Sequence, residues 1–455
     1  MDWCSCGTPD RRAARAATAD DDDEVRIAHV SDSHLANIEG VATSVGTTLA
    51  LLRAAGHQVT LHSPGPLFRR RRPGELPSVP VPTRPYRLAL PRLPDAPVDV
   101  VHVHTTGPVG VAGLRWAATR GLPVVFTWHT DLIAYAAHYP EVPIGAAYAG
   151  LRLGLRWRAP AMWALARPGP ARQARLAELG RCLLAHMDVL LAPSGKTATA
   201  MAPMAGRTPI AVLPTPVAAP APDADDRRRL RARLGIPVDA AVLLAVGRAS
   251  AEKDPGLLLA AFARVRRTLP AARLVLLGVR GGRRGLRRAA RRHGVADALH
   301  LLRPVPRDRV GGYYRTADVL AFASRTDTQG LVLGEAESYG LPVAMVDGGL
   351  AERPGTGTHR PLAAAAPDAF GGLLVRLLTD TELRERVVAE GRAGVAAWTG
   401  ERYLSALVTI YASVSGSASG AAGSTTGPPG PAQAEAATPA ARRRNGVTRP
   451  GRTSP

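Results

Sequence analysis

Short apolar runs and longer amphipathic stretches alternate along this chain. Residues 25–30, 58–62, 98–104 and 122–128 are runs of five to seven residues rich in Val, Leu and His. That length and β-branched content predicts strands. Between them, apolar positions recur at helical spacing over 41–55 and near 108–120, and Gly56-His57 ends the first of these helices. Two more short strands are predicted at 187–192 and 209–213, while 63–97, rich in Pro and Arg, predicts a long loop. Strand and helix in regular alternation is the pattern of a parallel sheet with crossover helices.

The pattern breaks at 214–226, which is rich in Pro, Ala and Asp, and then restarts. Strands are predicted at 240–246, 273–277, 299–302, 318–323 and 342–346, with helices between them. Helices at 380–396 and 400–413 close the pattern. This divides the chain into a disordered tail at 1–23, a domain at 24–215 and a linker at 216–235. A second domain at 236–399, a closing helix at 400–414 and a disordered tail at 415–455 follow. The last segment is Gly, Ala, Pro, Ser, Thr and Arg and has almost nothing to bury. The fold class predicted is α/β, with two doubly wound, Rossmann-like parallel-sheet domains facing a central cleft. Ligands bind in such clefts, at the carboxyl ends of the strands.

A chain of 455 residues is too long for one ordinary core, which agrees with two domains. Aromatic residues make up only 4%, so the cores must be built from Ala, Val and Leu. The net charge of +21 fits either an arginine-biased composition or an anionic partner: a nucleotide diphosphate, an anionic lipid surface or nucleic acid. Nucleic acid is disfavoured, because no basic motif interleaved with aromatics and no recognised binding module is present. Cys4, Cys6 and Cys182 cannot make a disulfide framework, which fits a reducing cytoplasm. No leader-like apolar stretch follows Arg11, Arg12 and Arg15, and no window of about 18 uncharged apolar residues could span a bilayer.

Candidate chemistry starts from the cations. Of 58 basic side chains only two are lysines. One, Lys253, sits in Gly247-Arg-Ala-Ser-Ala-Glu-Lys-Asp254, directly after the strand at 240–246. A compact ammonium on a flexible stem suits a phosphate tucked under a loop, and Arg248 beside it makes a two-cation clamp for a diphosphate. Farther on, Ser324-Arg-Thr-Asp327-Thr-Gln-Gly330-Leu331 leads into Val-Leu-Gly-Glu335-Ala336: an acid, a Gly at the mouth of a helix, and a second acid eight residues on. Asp327 and Glu335 lie on one turn and helix start, so they cannot flank a sugar ring from both faces as a glycosidase pair would. The acidic run 20–23 precedes the first strand and is not read as a metal motif. No other His, Cys, Asp or Glu cluster has metal-ligand spacing, so no metal and no cofactor is expected.

Five segments in order carry a family resemblance. They are Ser31-Asp-Ser-His-Leu-Ala-Asn37-Ile-Glu-Gly40-Val-Ala-Thr43-Ser44, Val101-His102-Val-His104 and Thr127-Trp-His129-Thr-Asp131, then Gly247-Arg248 with Glu252-Lys253, and Thr326 to Ala336. Over roughly 25–413 the chain resembles the retaining GT-B glycosyltransferases of family 4, and within them the branch of diacylglycerol glucosyltransferases and lipid mannosyltransferases. The resemblance implies transfer of a hexose from a UDP- or GDP-hexose to an acceptor hydroxyl, with the nucleotide sugar as co-substrate. It implies donor contacts from Gly40, Arg248, Lys253, Gly330, Leu331 and Glu335, the last to the ribose. It places His129 and Asp327 at the reacting sugar, and Asp131 and His104 on the acceptor side. Here Asp327 stands where Glu is commoner, and Glu39-Gly40 replaces a two-glycine loop. His102 and His104 also read as ordinary core residues, and Asn37 and Thr43 as neighbours of the site. The leading acceptor is a membrane glycerolipid on the cytoplasmic side, reached by a protein peripheral to the inner face of the plasma membrane; the alternative is a soluble natural-product or inositol-type alcohol. Residues 151–181, where Arg152, Arg156, Arg158, Arg167, Arg172, Arg175 and Arg181 interleave with Leu and Trp, have the composition of an interfacial segment. Seven Arg at 280–292 read as a solvated helical face.

Overall fold

The computed structural model describes residues 25–416 apart from 36–38, 65–78, 82–91, 140, 153–154, 156, 158 and 218–225. The tail expected at 1–23, the tail expected at 415–455 from residue 417 onward, and the residues Asn37, Arg156 and Arg158 lie outside the described residues, while Ser415 ends a helix.

Seven strands form the first sheet: β1 (Arg26–Val30), β2 (Gln58–Pro64), β3 (Val79–Val81), β4 (Val100–Val103), β5 (Val124–Thr127), β6 (Val189–Ala192) and β7 (Ile210–Val212). They run parallel in the order β3-β2-β1-β4-β5-β6-β7. Its helices are α1 (Gly40–Ala54), α2 (Pro108–Arg120), α3 (Leu132–Tyr135), α4 (Glu141–Arg152), α5 (Ala159–Ala166), α6 (Pro170–Leu184) and α7 (Gly195–Ala205). The second sheet has β8 (Val242–Val246), β9 (Arg273–Leu277), β10 (Leu299–Leu302), β11 (Val319–Phe322) and β12 (Val343–Met345), parallel in the order β10-β9-β8-β11-β12. Around it lie α8 (Asp226–Arg233), α9 (Pro255–Thr268), α10 (Arg283–Arg292), α11 (Val310–Thr316), α12 (Leu331–Ser338), α13 (Pro367–Thr379) and α14 (Thr381–Ala397). The last helix, α15 (Gly400–Ser415), returns to the first sheet.

Both sheets are buried on both faces, which is why their strands read as continuous apolar runs rather than alternating ones. In the first sheet Ala28, Val30, Val101, Val103 and Phe126 face a core shared with α2 and α6. Ile27, Val100, Val125 and Leu191 face the other way, toward Tyr403, Leu407 and Tyr411 of α15. In the second sheet Leu243, Leu274 and Ala321 meet α9 and α13, while Leu244, Val275 and Phe322 meet α8, α11 and α12. Asp32, just past β1, accepts from Thr105 Oγ1 at 2.6 Å and from the Val109 and Gly110 amides at 2.8 and 3.1 Å. It therefore caps α2, whose first turn has orphan N–H groups to satisfy.

Four expectations change. The loop expected over 63–97 contains β3, whose Pro80 is tolerated because an edge strand needs hydrogen bonds on one side only. The linker expected at 216–235 ends in α8, which belongs to the second domain: Leu230 is in its core, and Arg231 donates to Thr316 O and Asp318 Oδ2. The sequence pattern does not single out α13, whose apolar stripe packs lengthwise on α9. Cys182 on α6 is disulfide-bonded, although three cysteines argue against a disulfide framework.

A buried ion cluster holds α12 to the loop after β12. Glu337, 4% exposed, accepts from Arg353 Nε at 2.8 Å and from Arg360 Nε and Nη2 at 3.0 and 2.8 Å. Gly391 on α14 lies against this glutamate, where a Cβ would come 3.0 Å from its Cγ. Removing one member of such a cluster strands the buried charges it compensated. Glu337→Ala is therefore expected to lower unfolding free energy by about 3–5 kcal/mol, read from a urea titration; a loss below about 1 kcal/mol would mean that the two guanidiniums find other partners.

Candidate functional site

The carboxyl ends of β1 and β5 face those of β8 and β11 across a cavity of about 390 Å³. In the second sheet β8 and β11 flank the point where strand order reverses, and in the first sheet β1 stands at that point, beside β4. That is where doubly wound folds bind ligands, and the volume suits a small organic molecule.

Each wall has a local cause. Gly247 leaves β8 with φ 136°, a region open to glycine, and brings Arg248 to the cavity. Its carbonyl is so close to Gly278 that a Cβ there would sit 2.5 Å away. A 3-10 turn over Ala251–Lys253 follows, and Asp254, at φ 45°, accepts from the Leu257 amide at 3.0 Å to cap α9. This reversal aims Lys253 back across the cavity, where its Nζ lies 2.5 Å from Asp327 Oδ1. Gly330, at φ 66°, ends the loop bearing Asp327 and starts α12. Asp327 Oδ2 is buried and has no hydrogen-bond partner among the described residues.

From the first sheet come Gly40 at the start of α1 and His129 after β5. Burial lowers the His129 pKa to about 4, so its ring is neutral at physiological pH. Tyr135, also on the wall, is pushed up to about 12 by burial and then by the charge of Asp327. Arg248 lies 3.3 Å from Glu252 and 5.6 Å from the Tyr139 ring centroid, so this guanidinium bridges the two domains.

The structure brings together Gly40, His129, Arg248, Lys253, Asp327, Gly330 and Leu331 on one cavity. Three expected residues stand elsewhere. Glu335 accepts from Tyr314 Oη at 2.7 Å and pairs with Arg307 at 3.5 Å, off the cavity wall. Asp131 is spent on local structure, accepting from the Ile133 and Ala134 amides at 3.0 Å to cap α3. His104 is buried behind His129, with its Nδ1 3.0 Å from His129 Nε2, so it lies against that ring and off the cavity wall. His102 is a buried core residue bonded to Thr127 and Tyr411. Thr43 is not on the wall.

Sequence reasoning missed Lys196, the other lysine. Its Nζ donates to Arg325 O at 2.7 Å, Asp327 O at 3.0 Å and Asp347 Oδ2 at 2.6 Å. Beside it Thr197 Oγ1 donates to Thr328 O at 2.9 Å, and Thr328 Oγ1 in turn donates to His129 O at 2.9 Å. The available signal was the rarity of lysine, which marked position 196 as strongly as 253.

Two parallel-sheet domains with a ligand cavity between their carboxyl ends define a GT-B architecture. Residues 38–219 match the Glycosyltransferase Family 4 model and residues 226–394 the Glycosyl transferases group 1 model. The chain belongs to the GT-B glycosyltransferases that combine these two domains. It is 30% identical over 330 residues to a D-inositol 3-phosphate glycosyltransferase of Acidothermus cellulolyticus, covering 69% of this chain and 66% of that protein. A shorter match, 35% over 196 residues, to the protein of that name in Xylanimonas cellulosilytica spans 42% of this chain and 46% of the relative. An alpha-monoglucosyldiacylglycerol synthase of Acholeplasma laidlawii is 26% identical over 342 residues, 70% of this chain and 79% of that one. Among solved structures, a sucrose-phosphate synthase from Thermosynechococcus elongatus superposes with TM-score 0.65 at 18% identity, over 87% of this chain and 100% of that one. HepE of Anabaena, in complex with UDP and glucose, gives 0.63 at 15% identity over 86% and 100%. At these identities the two structures speak for the fold.

Two buried histidines, His129 on the cavity wall and His62 on β2, give the protein a pH signature. Burial lowers both His129 and His62 to about 4, against an ordinary value of 6.5. The unfolded chain binds these protons first, so the stability from burying neutral rings is complete above pH 6.5 and is lost as pH falls toward 4. The denaturant midpoint is expected to drop between pH 6.5 and 4; a flat midpoint over that range would mean the rings protonate freely in the native state.

Proposed function

We propose that the protein transfers a hexose from a UDP- or GDP-hexose to an acceptor hydroxyl, with retention at the anomeric carbon. The observation that carries this reading is the pairing of Lys253 with Asp327 on the cavity that Arg248 also lines, with Asp327 Oδ2 buried and unpartnered among the described residues. A buried carboxylate oxygen without a donor is costly, and a sugar hydroxyl satisfies it. The two cations stabilise charge developing on the leaving diphosphate, and the start of α12 at Gly330-Leu331 adds backbone N–H groups. His129, neutral and on the opposite wall, hydrogen-bonds the sugar. Closure of the two domains over the donor excludes the water that would hydrolyse it. The cations supply the countercharge, so the reaction runs without a metal.

The acceptor in this proposal is a membrane glycerolipid. On α4 and α5, Ile144 and Leu151 are each 71% exposed and Trp163 68%, with Met162 also exposed. Apolar side chains bared on the acceptor-side domain suit the boundary between headgroups and acyl chains, with the protein peripheral to the inner face of the plasma membrane. The arginines contribute less than their number suggests. Arg172 is buried, donating to Ala136 O and Ala166 O, and Arg175 is paired with Glu178. No helix among the described residues is long and apolar enough to cross a membrane. A soluble inositol-type acceptor is the second reading, favoured by the names of the inositol-phosphate relatives. Nucleotide release from a panel of nucleotide sugars, with diacylglycerol vesicles or with inositol phosphates, separates the two.

Three outcomes are expected. Arg248→Ala and Lys253→Ala should each slow nucleotide release by about 10²-fold with the fold retained; near-normal turnover removes the diphosphate clamp. Chelation should leave turnover intact, whereas loss restored by magnesium or manganese would replace the two-cation account. Trp163→Ser with Leu151→Ser should weaken co-sedimentation with anionic vesicles while sparing turnover on a short soluble acceptor; unchanged co-sedimentation moves the membrane contact elsewhere.

A further inference from the structure

One face of the first sheet carries a run of imidazoles that the cavity reading uses only at its last member. His29 lies opposite His102 in the β1–β4 register, and period two puts His104 and His129 on the same face. His129 Nε2 is 3.0 Å from His104 Nδ1, and His104 Nε2 is 2.8 Å from His29 Nδ1. The rings stack in the same sequence, with centroids 5.2 and 5.1 Å apart. At the inner end, His29 Nε2 is buried and has no hydrogen-bond partner among the described residues. Burial holds all three rings well below the ordinary histidine range, so each is neutral.

A neutral imidazole has one N–H and one bare nitrogen. In a chain of three, one choice of direction therefore sets every tautomer. If the protons point inward, His129 Nε2 donates to His104, His104 Nε2 donates to His29, and an N–H is left on His29 Nε2 with nothing to accept it. The Arg53 guanidinium adds a positive charge near that ring, which disfavours such an N–H further. If the protons point outward, His29 Nδ1 donates to His104 and His104 Nδ1 donates to His129. The unpartnered inner atom is then a bare nitrogen, and the outer ring keeps its proton on Nδ1. Buried N–H groups without an acceptor are rarer and costlier than acceptors without a donor.

We propose that His29 and His104 are positioning residues that fix His129 as the Nδ1–H tautomer, so that this ring gives the cavity a hydrogen-bond donor and no nitrogen free to act as a base. What Nδ1–H meets depends on the glycosyl-transfer reading, under which it is an oxygen of the donor sugar or diphosphate; the tautomer itself does not. The same imidazoles invite a metal reading, since nitrogens of His29, His102 and His104 lie within 4.8 Å of one another. Both nitrogens of His102, however, are taken by Tyr411 Oη at 2.6 Å and Thr127 Oγ1 at 2.7 Å. The two His–His bonds occupy three of the four nitrogens of His29 and His104.

The test uses the full chain labelled with ¹⁵N-histidine and no substrate, so its outcome is separate from that of the enzymatic assignment. Two-bond ¹H–¹⁵N correlations at pH 7, with His129 assigned through His129→Gln, are expected to show a protonated Nδ1 and a bare Nε2. His104→Leu removes the inner donor and should shift His129 toward Nε2–H. His104→Asn, whose amide can replace the Nδ1–H donor, should keep the wild-type pattern. Nucleotide release should fall about tenfold in the Leu variant and recover in the Asn variant. A protonated Nε2 on His129 in the wild type overturns the proposal, as does an unchanged His129 pattern in a folded His104→Leu. If the variants do not fold, the wild-type tautomer alone decides. Stoichiometric zinc binding lost in His29→Leu would also overturn it, assigning the imidazoles to a metal.

Discussion

The only two lysines in the chain converge on one loop, residues 325–328, from opposite directions. Lys253 comes from the second domain and fixes the side chain of Asp327. Lys196 comes from the first domain and fixes the backbone, spending all three ammonium protons on Arg325 O, Asp327 O and Asp347. A guanidinium is planar and spreads its donors in one fork, whereas these three acceptors surround a point. The Lys196 stem also runs so close to Gly349 that a Cβ there would come 2.9 Å from its Cδ. The loop therefore needs an ammonium at one end and a glycine under the stem.

Much of the cavity follows from that constraint. With the carbonyls of Arg325 and Asp327 held from the first domain, Thr328 is set to donate to His129 O, and the Asp327 carboxylate is presented across from His129. Gln329 adds a reciprocal pair with Thr215, accepting from its amide at 3.1 Å and donating to its carbonyl at 2.7 Å. The domains are joined a second time where α14 gives way to α15. There Trp398 Nε1 donates to Pro214 O at 2.7 Å, tying the two chain crossings together. Beyond that point Tyr403 meets Thr48 at 2.7 Å and Tyr411 meets His102 at 2.6 Å, so α15 seals the open face of the first sheet. The aromatics are few, and several are used for their hydroxyls at such junctions.

Strand positions and the two-sheet plan were legible because they are local. A run such as 242–246 needs only its own composition to announce a strand buried on both faces. Gly330 announced a helix start because its backbone takes a conformation costly for other residues. The edge strand at 79–81 and the helix at 226–233 were not legible. Pro80 is acceptable only at an edge, and the arginines of α8 look like linker residues until Asp318 and the Thr316 carbonyl are placed beside them.

For the site the division is sharper. The sequence by itself determined which chemistry is available: a lysine and an arginine after β8, an acid before a glycine-started helix, and a histidine at the end of β5. It determined this because each lies at the end of a strand, and in a parallel sheet those ends share one edge. Only the tertiary structure decided which members face the cavity. Asp131 and Asp327 are both acids in a loop after a strand, yet one caps a helix and the other keeps an oxygen free. His104 and His129 each read as strand-end histidines, yet one stands behind the other. Glu335 sits on the expected helix but turns to Tyr314 and Arg307. These outcomes depend on what the second domain or a distant helix brings within hydrogen-bond reach, and spacing along the chain carries no record of it.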